Sequence, residues 1–216
     1  LETVASLLDR NPRGRIEILN RMVEFADASG GEEDVERAEA MMMTIRDAVP
    51  GYERELELAG ARLAGASGDD DACIAAYERI IAGFSAEEMA TFRAMELVDE
   101  EDLDAVRRSI LVLVASLNNL AFLHAESPEG DHRRALEVID LAISMNVRGI
   151  TAELLDTKAL LLENTGDRAQ AMDIRRETVR RNPNRLDFRL RTIRLMIDLG
   201  MEQEARSLAE ESRVLA

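Results

Sequence analysis

Cys73 is the single thiol of this chain, and His124 and His132 are its two imidazoles. A cysteine beside a histidine is the minimum of a thiol nucleophile, because the imidazole takes the proton and leaves the attacking thiolate. The setting of Cys73 points elsewhere. It stands five residues after Gly68, as Ala135, Ala171 and Ala205 stand five residues after Gly130, Gly166 and Gly200. A small side chain at that place lets two helices approach closely, so Cys73 is expected to be an inert core thiol. His124 falls at the apolar edge of a helix and His132 at a helix start, both packing or surface positions. One Cys and two His are too few for a Cys/His zinc centre, and a lone Cys makes no intrachain disulfide. No glycine-rich phosphate loop and no zinc-protease histidine pair occurs. The expectation is a non-enzyme without cofactor or metal.

Carboxylates gather at Glu32-Glu33-Asp34, at Asp69-Asp70-Asp71 and over residues 99–102. Hard cations want several oxygens together, but none of these runs has the alternating spacing or closing Glu of a calcium loop. Each falls at a helix start, where acids cap free amides and meet the positive end of the helix dipole. Arginines crowd residues 175–194. The face offered by Arg175, Arg176, Arg180, Arg181 and Arg185 is a candidate for an acidic protein partner. Its plainer reading is a solvated surface, laced by Glu177 with Arg181 and Asp187 with Arg191 at four-residue spacing. Of Met41-Met42-Met43 a helix buries at most two on one face, which leaves one exposed.

The elements that must carry these groups are marked by glycines. Gly31, Gly68, Gly130, Gly166 and Gly200 each end one helical pattern and open another, at intervals of 34 to 37 residues with one gap of 62. Ile110, Leu113, Val114, Leu117, Leu120 and Ala121 recur at helical steps until Pro128 and Gly130, and a second helix restarts with Ala135, Val138, Ile139 and Ala142. The same pair of helices recurs as Leu154 to Pro183, as Phe188 to Ala209, as Leu56 to Ile80 and, more weakly, over residues 15–48. In that weak copy the residue five past Gly31 is Glu36, and the alanine comes at Ala38, which predicts a longer turn. Ser85 and Glu88 read as a capping box opening a short helix near 86–97, and Asp99 with Asp102 as the start of a long helix from about 100 to 126. The run 110–116 is apolar almost all round but too short to span a bilayer, so no membrane span is expected.

These pairs resemble the tetratricopeptide repeat. The copy ending at Pro183 carries the likeness best, with Ala159, Gly166-Asp167, Ala171 and Asn182-Pro183. Lys158, Thr178 and the turn Ser127-Pro128-Glu129 depart from the pattern. Asn118 and its neighbours, with the later Leu154-Leu155-Asp156-Thr157, look like bacterial arrays of this family. The resemblance implies an all-α, right-handed α-solenoid of about five helix pairs in one domain over 1–216. The repeats are placed near 12–50, 52–83, 109–147, 150–183 and 184–216, with an irregular insertion at 84–108. It also implies that the first helix of each pair lines a concave groove. The expected groove residues are Asn118, Phe122, Ala125 and Glu126, then Asp156, Leu160, Glu163 and Asn164, then Leu190, Arg194, Ile197 and Asp198. Family members that clamp a terminal carboxylate use lysines and asparagines there; Asn118 matches, but Asp156 and Glu163 would repel an acid, and Lys158 is not on that line. The expected partner is therefore a basic or amphipathic segment, and lysine at positions 156 and 163 is expected to weaken binding with helicity intact.

Of the 216 residues, 46% are hydrophobic and 3% aromatic, with no Trp, so the core must be built from Leu, Ile, Val, Ala and ten Met. Net charge is −16, and all of the excess lies in residues 1–104, which hold 26 acidic and 10 basic groups. An acidic chain with so few aromatics is not expected to bind nucleic acid. Its charge asymmetry admits a homo-oligomer in which the arginine face of one copy meets the acidic half of another. No signal peptide is legible, and the start at Leu1 reads as a processed chain or a piece of a longer one, such as the regulatory arm of an enzyme. The compartment stays open, with the cytoplasm slightly favoured. The function expected is a protein-binding scaffold.

Overall fold

The computed structural model describes residues 11–93, 103–145, 147 and 150–213, and among them the chain is all-α, with no strand. The helices are α1 (Pro12–Ser29), α2 (Glu32–Ala48), α3 (Glu53–Ala66), α4 (Asp70–Ala82), α5 (Ala86–Arg93), α6 (Leu103–Glu126), α7 (His132–Ser144), α8 (Thr151–Thr165), α9 (Arg168–Arg181), α10 (Leu186–Asp198) and α11 (Glu202–Ser212). They form two compact units, Leu1–Ser116 and Leu117–Ala216, and the boundary falls within α6. The helix start expected at Asp99 and Asp102 lies outside the described residues.

In the first unit, α1 starts where the side chain of Asn11 accepts from the Gly14 amide and Pro12 fills the first helical turn. Ile16, Leu19, Val23 and Ala26 then recur on one side, and they pack with Val35, Ala38 and Ile45 of α2 and Leu56, Ala59 and Leu63 of α3. Burying a Leu or Val side chain of this kind is worth about 1.5–3 kcal/mol. The residue in the left-handed region between α1 and α2 is Gly30, not Gly31, and the turn has two residues, the same length as Gly166-Asp167 between α8 and α9. No longer turn exists. Counted from Gly30, the fifth residue is Val35, which is buried in the place held elsewhere by Cys73, Ala135, Ala171 and Ala205. The first pair is thus regular in length and carries valine where the others carry a smaller residue.

Asp69 caps α4 by accepting from the Ala72 amide at 3.0 Å, and Glu32, Glu33 and Asp34 occupy the first turn of α2. The Ser85/Glu88 capping box closes reciprocally: the Glu88 amide donates to the Ser85 hydroxyl at 3.1 Å, and the Ser85 amide donates to the Glu88 carboxylate at 2.8 Å. Arg54 of α3 fastens this turn, bonded to Glu88 at 2.9 Å and stacked 4.1 Å from the Phe84 ring centroid. Met41 and Met42 pack against the core, while Met43 is exposed.

Helix α6 is apolar over more than residues 110–116. By length and composition Asp104–Glu126 is enough to cross a membrane, and 44% of its most apolar window is buried in the fold. Ile110, Val112, Leu113, Val114, Ser116 and Leu117 are all buried, which takes in most of the helix circumference across two turns and leaves Leu111 exposed on the remaining side.

In the second unit, Leu162 of α8, Ala171 and Met172 of α9, Leu195 and Met196 of α10 and Ala205 of α11 form one cluster. Two hydrogen bonds join α6 to α8: Thr157 donates to the Asn118 side-chain carbonyl at 2.9 Å, and the Asn164 amide group donates to the Ala125 carbonyl at 2.6 Å. Between α6 and α7 the chain needs glycine at position 130, because a Cβ there would stand 1.9 Å from the His124 carbonyl oxygen. Asp131 then caps α7 through the Arg134 amide.

Candidate functional site

The expected groove residues lie on α6, α8 and α10, and the structure divides them into two groups. One group is occupied internally. Asn118 and Asn164 join α6 to α8, as described above. Asp156 is 5% exposed, and one oxygen of its carboxylate accepts from Arg175 at 2.5 Å while the other accepts from Arg191. Arg175, itself 4% exposed, also donates through Nε to Glu163 at 2.6 Å. Asp156 and Glu163 lie two turns apart on α8, so a single guanidinium from α9 spans them both, and Arg191 of α10 completes two cations against two anions.

This pairing answers both Asp156 and Glu163 within the fold. It also removes Arg175 from the arginine face. Charges this deeply buried persist only when paired, and leaving one alone costs several kcal/mol, about 3–5 in measured cases. Lysine at position 156 would therefore face Arg175 and Arg191 and disturb folding before it disturbed binding.

The other group is turned outward. Leu190 and Ile197 are 55% and 57% exposed on α10, with Arg194 and Asp198 exposed beside them, and Glu126 is exposed at the end of α6. Phe122 and Leu160 are half-buried, and Ala125 is buried.

Most of the remaining arginine face is engaged close to home. Arg180 and Arg181 both bind Glu177, and these two guanidinium groups lower its carboxyl from the ordinary 4.5 to about 2. Arg185 holds Asp187 and reaches Glu153 on α8 at 2.8 Å, while its guanidinium stacks 4.2 Å from the Phe188 centroid. These bonds push the Arg185 pKa up and the Asp187 pKa down. Asp187 therefore does not partner Arg191, which turns to Asp156 instead. Arg176 is exposed and has no ion pair among the described residues.

The groups with catalytic potential are committed locally. The Cys73 thiol donates to the Ala61 carbonyl at 3.1 Å between α3 and α4, and burial pushes its pKa up, away from the reactive thiolate. A His132 ring nitrogen lies 3.2 Å from the Ser127 carbonyl, across the turn that precedes α7. Among the described residues no three metal-ligating side chains come together.

Set against known proteins, the chain matches no protein-family model and no curated sequence.

Proposed function

We propose that this chain is a non-catalytic protein-binding scaffold of tetratricopeptide-like helix pairs, which takes a partner segment along the faces of its first helices. One observation carries the reading. Ile18 and Phe25 on α1, Leu111 on α6, and Leu190 and Ile197 on α10 are large apolar side chains left exposed, and each belongs to the first helix of its pair. Only Met43 and Leu199 share that property elsewhere among the described residues. Second helices expose charges instead, such as Arg133, Glu137 and Asp140 on α7 and Asp173, Arg176 and Arg180 on α9. Exposed apolar side chains cost solubility unless something covers them part of the time, and within each unit their place on first helices suits a contact face there. The arginine face is the weaker docking site, because Arg180, Arg181 and Arg185 already hold carboxylates of their own chain.

A photo-crosslinking amino acid at Phe25 or Leu190, compared with one at Asp173, tests the assignment in an extract of the source cells. Protein adducts are expected at the first two positions. Adducts at 173 with none at 25 and 190 would overturn it.

A further inference from the structure

The docking face on α10 has a definite charge. Leu190 and Ile197 are two helical turns apart and both more than half exposed, and Arg194 lies between them on the same side. Among the described residues Arg194 has no ion pair, neither with Asp198 four residues on nor with any other acid. The carboxylates of α8 nearest in the expected groove set are held by other arginines: Asp156 holds Arg175 and Arg191, and Glu163 holds Arg175. What remains is an apolar–cationic–apolar stripe about 10 Å long, from the helical rise of 1.5 Å per residue.

We infer that this stripe receives an amphipathic helical segment that presents apolar residues two turns apart and a carboxylate between them. The inference rests on the reading of the chain as a protein-binding scaffold and names the partner's chemistry, with a sign opposite to the basic segment that the sequence suggests. The reversal follows from the internal pairing of Asp156 and Glu163. A partner carboxylate set between Leu190 and Ile197 meets Arg194 where apolar contacts exclude water, and a charge-assisted bond there gains over one in open solvent. A lysine in the same place meets a like charge. Asp198 lies beyond Ile197 at the end of the helix, outside the interval between the two apolar contacts.

Two synthetic helical peptides test this. Both carry leucine at positions i and i+7, and they differ only in having glutamate or lysine at i+3 and i+4. Fluorescence anisotropy with the full chain gives the affinities, and amide NMR spectra place the contact. The glutamate peptide is expected to bind at least about fivefold more tightly at low salt, to lose that margin as salt rises, and to perturb residues 190–198. Arg194→Glu should invert the preference and Arg194→Gln abolish it, while Ile197→Asp should weaken both peptides, and circular dichroism checks that each variant keeps its helicity. Equal affinities that ignore Arg194→Glu yet fall with Ile197→Asp would overturn the inference and leave the scaffold reading standing. Tighter binding of the lysine peptide would overturn it too and restore a basic partner. If neither peptide perturbs residues 190–198, the α10 face is not a docking site, and both readings fail there.

Discussion

The Arg175 guanidinium lies 2.5 Å from the Asp156 carboxylate, with both side chains almost wholly removed from solvent. The pair joins two successive helices, and Glu163 and Arg191 extend it on either side. A buried pair of this sort contributes little net stability relative to apolar packing, yet it is costly to break halfway.

The first expectation concerns that asymmetry. Asp156→Leu or Arg175→Met alone should lower unfolding stability, by up to about 3–5 kcal/mol, because each strips a buried charge of one of its two partners and leaves the cluster unbalanced. The double variant should recover most of the loss. Urea unfolding of all four proteins measures the coupling, and additive losses would mean that the two charges do not depend on each other.

Acid should act through Glu177. Its carboxyl is lowered to about 2 by hydrogen bonds from Arg180 and Arg181, below the ordinary 4.5 that applies in the unfolded chain. A group with a depressed folded-state pKa stabilises the fold above its unfolded value, and the contribution is lost as pH falls from about 4.5 towards 2. Carboxyl NMR titration should find its midpoint near 2, and Arg180→Ala with Arg181→Ala should return it to the ordinary range. An unchanged midpoint in that double variant would remove the arginines as the cause.

Two glycines should respond unequally to alanine. Gly166 has φ +88° and open space around it, so Gly166→Ala carries only the backbone cost of a left-handed residue, about 1 kcal/mol. Gly130→Ala would drive a methyl group into the His124 carbonyl, against backbone that cannot swing aside. The loss there should be on the order of 3 kcal/mol or more, read as a larger drop in Tm.

Cys73 should be silent towards thiol reagents in the folded protein. Burial and the bond to the Ala61 carbonyl hold it protonated. A chromogenic disulfide reagent should release one equivalent only on denaturation, at a rate set by unfolding. Rapid labelling of the native chain would show that the α3–α4 pair opens readily.

Local features were legible in the sequence, and long-range partners were not. Gly-Asp at 166-167, Asn182-Pro183 and the Ser85/Glu88 box mark helix ends because the capping chemistry acts over three or four residues. Glu177 with Arg181 was readable for the same reason. Asp187 with Arg191 had identical spacing, yet Arg185 takes the acid and Arg191 crosses to α8. Arg175 stands 19 residues from Asp156 and 12 from Glu163, separations that no helical period predicts. The internal pairing of Asp156 and Glu163 was therefore not legible, although Leu190, Arg194 and Ile197 are exposed on one helix as the helical spacing suggests. At the first turn, two adjacent glycines made Gly30 and Gly31 indistinguishable until the left-handed residue was known.

The two bonds between α6 and α8 are each 39 residues apart in sequence, Asn118 with Thr157 and Ala125 with Asn164. They work as a vernier. Both marks align in a single register, and a one-residue insertion between 118 and 125 would rotate one mark about 100° out of phase with the other. Length change in the 127–131 turn leaves both marks matched. Drift in the length of this chain is thus permitted between helices and forbidden within them.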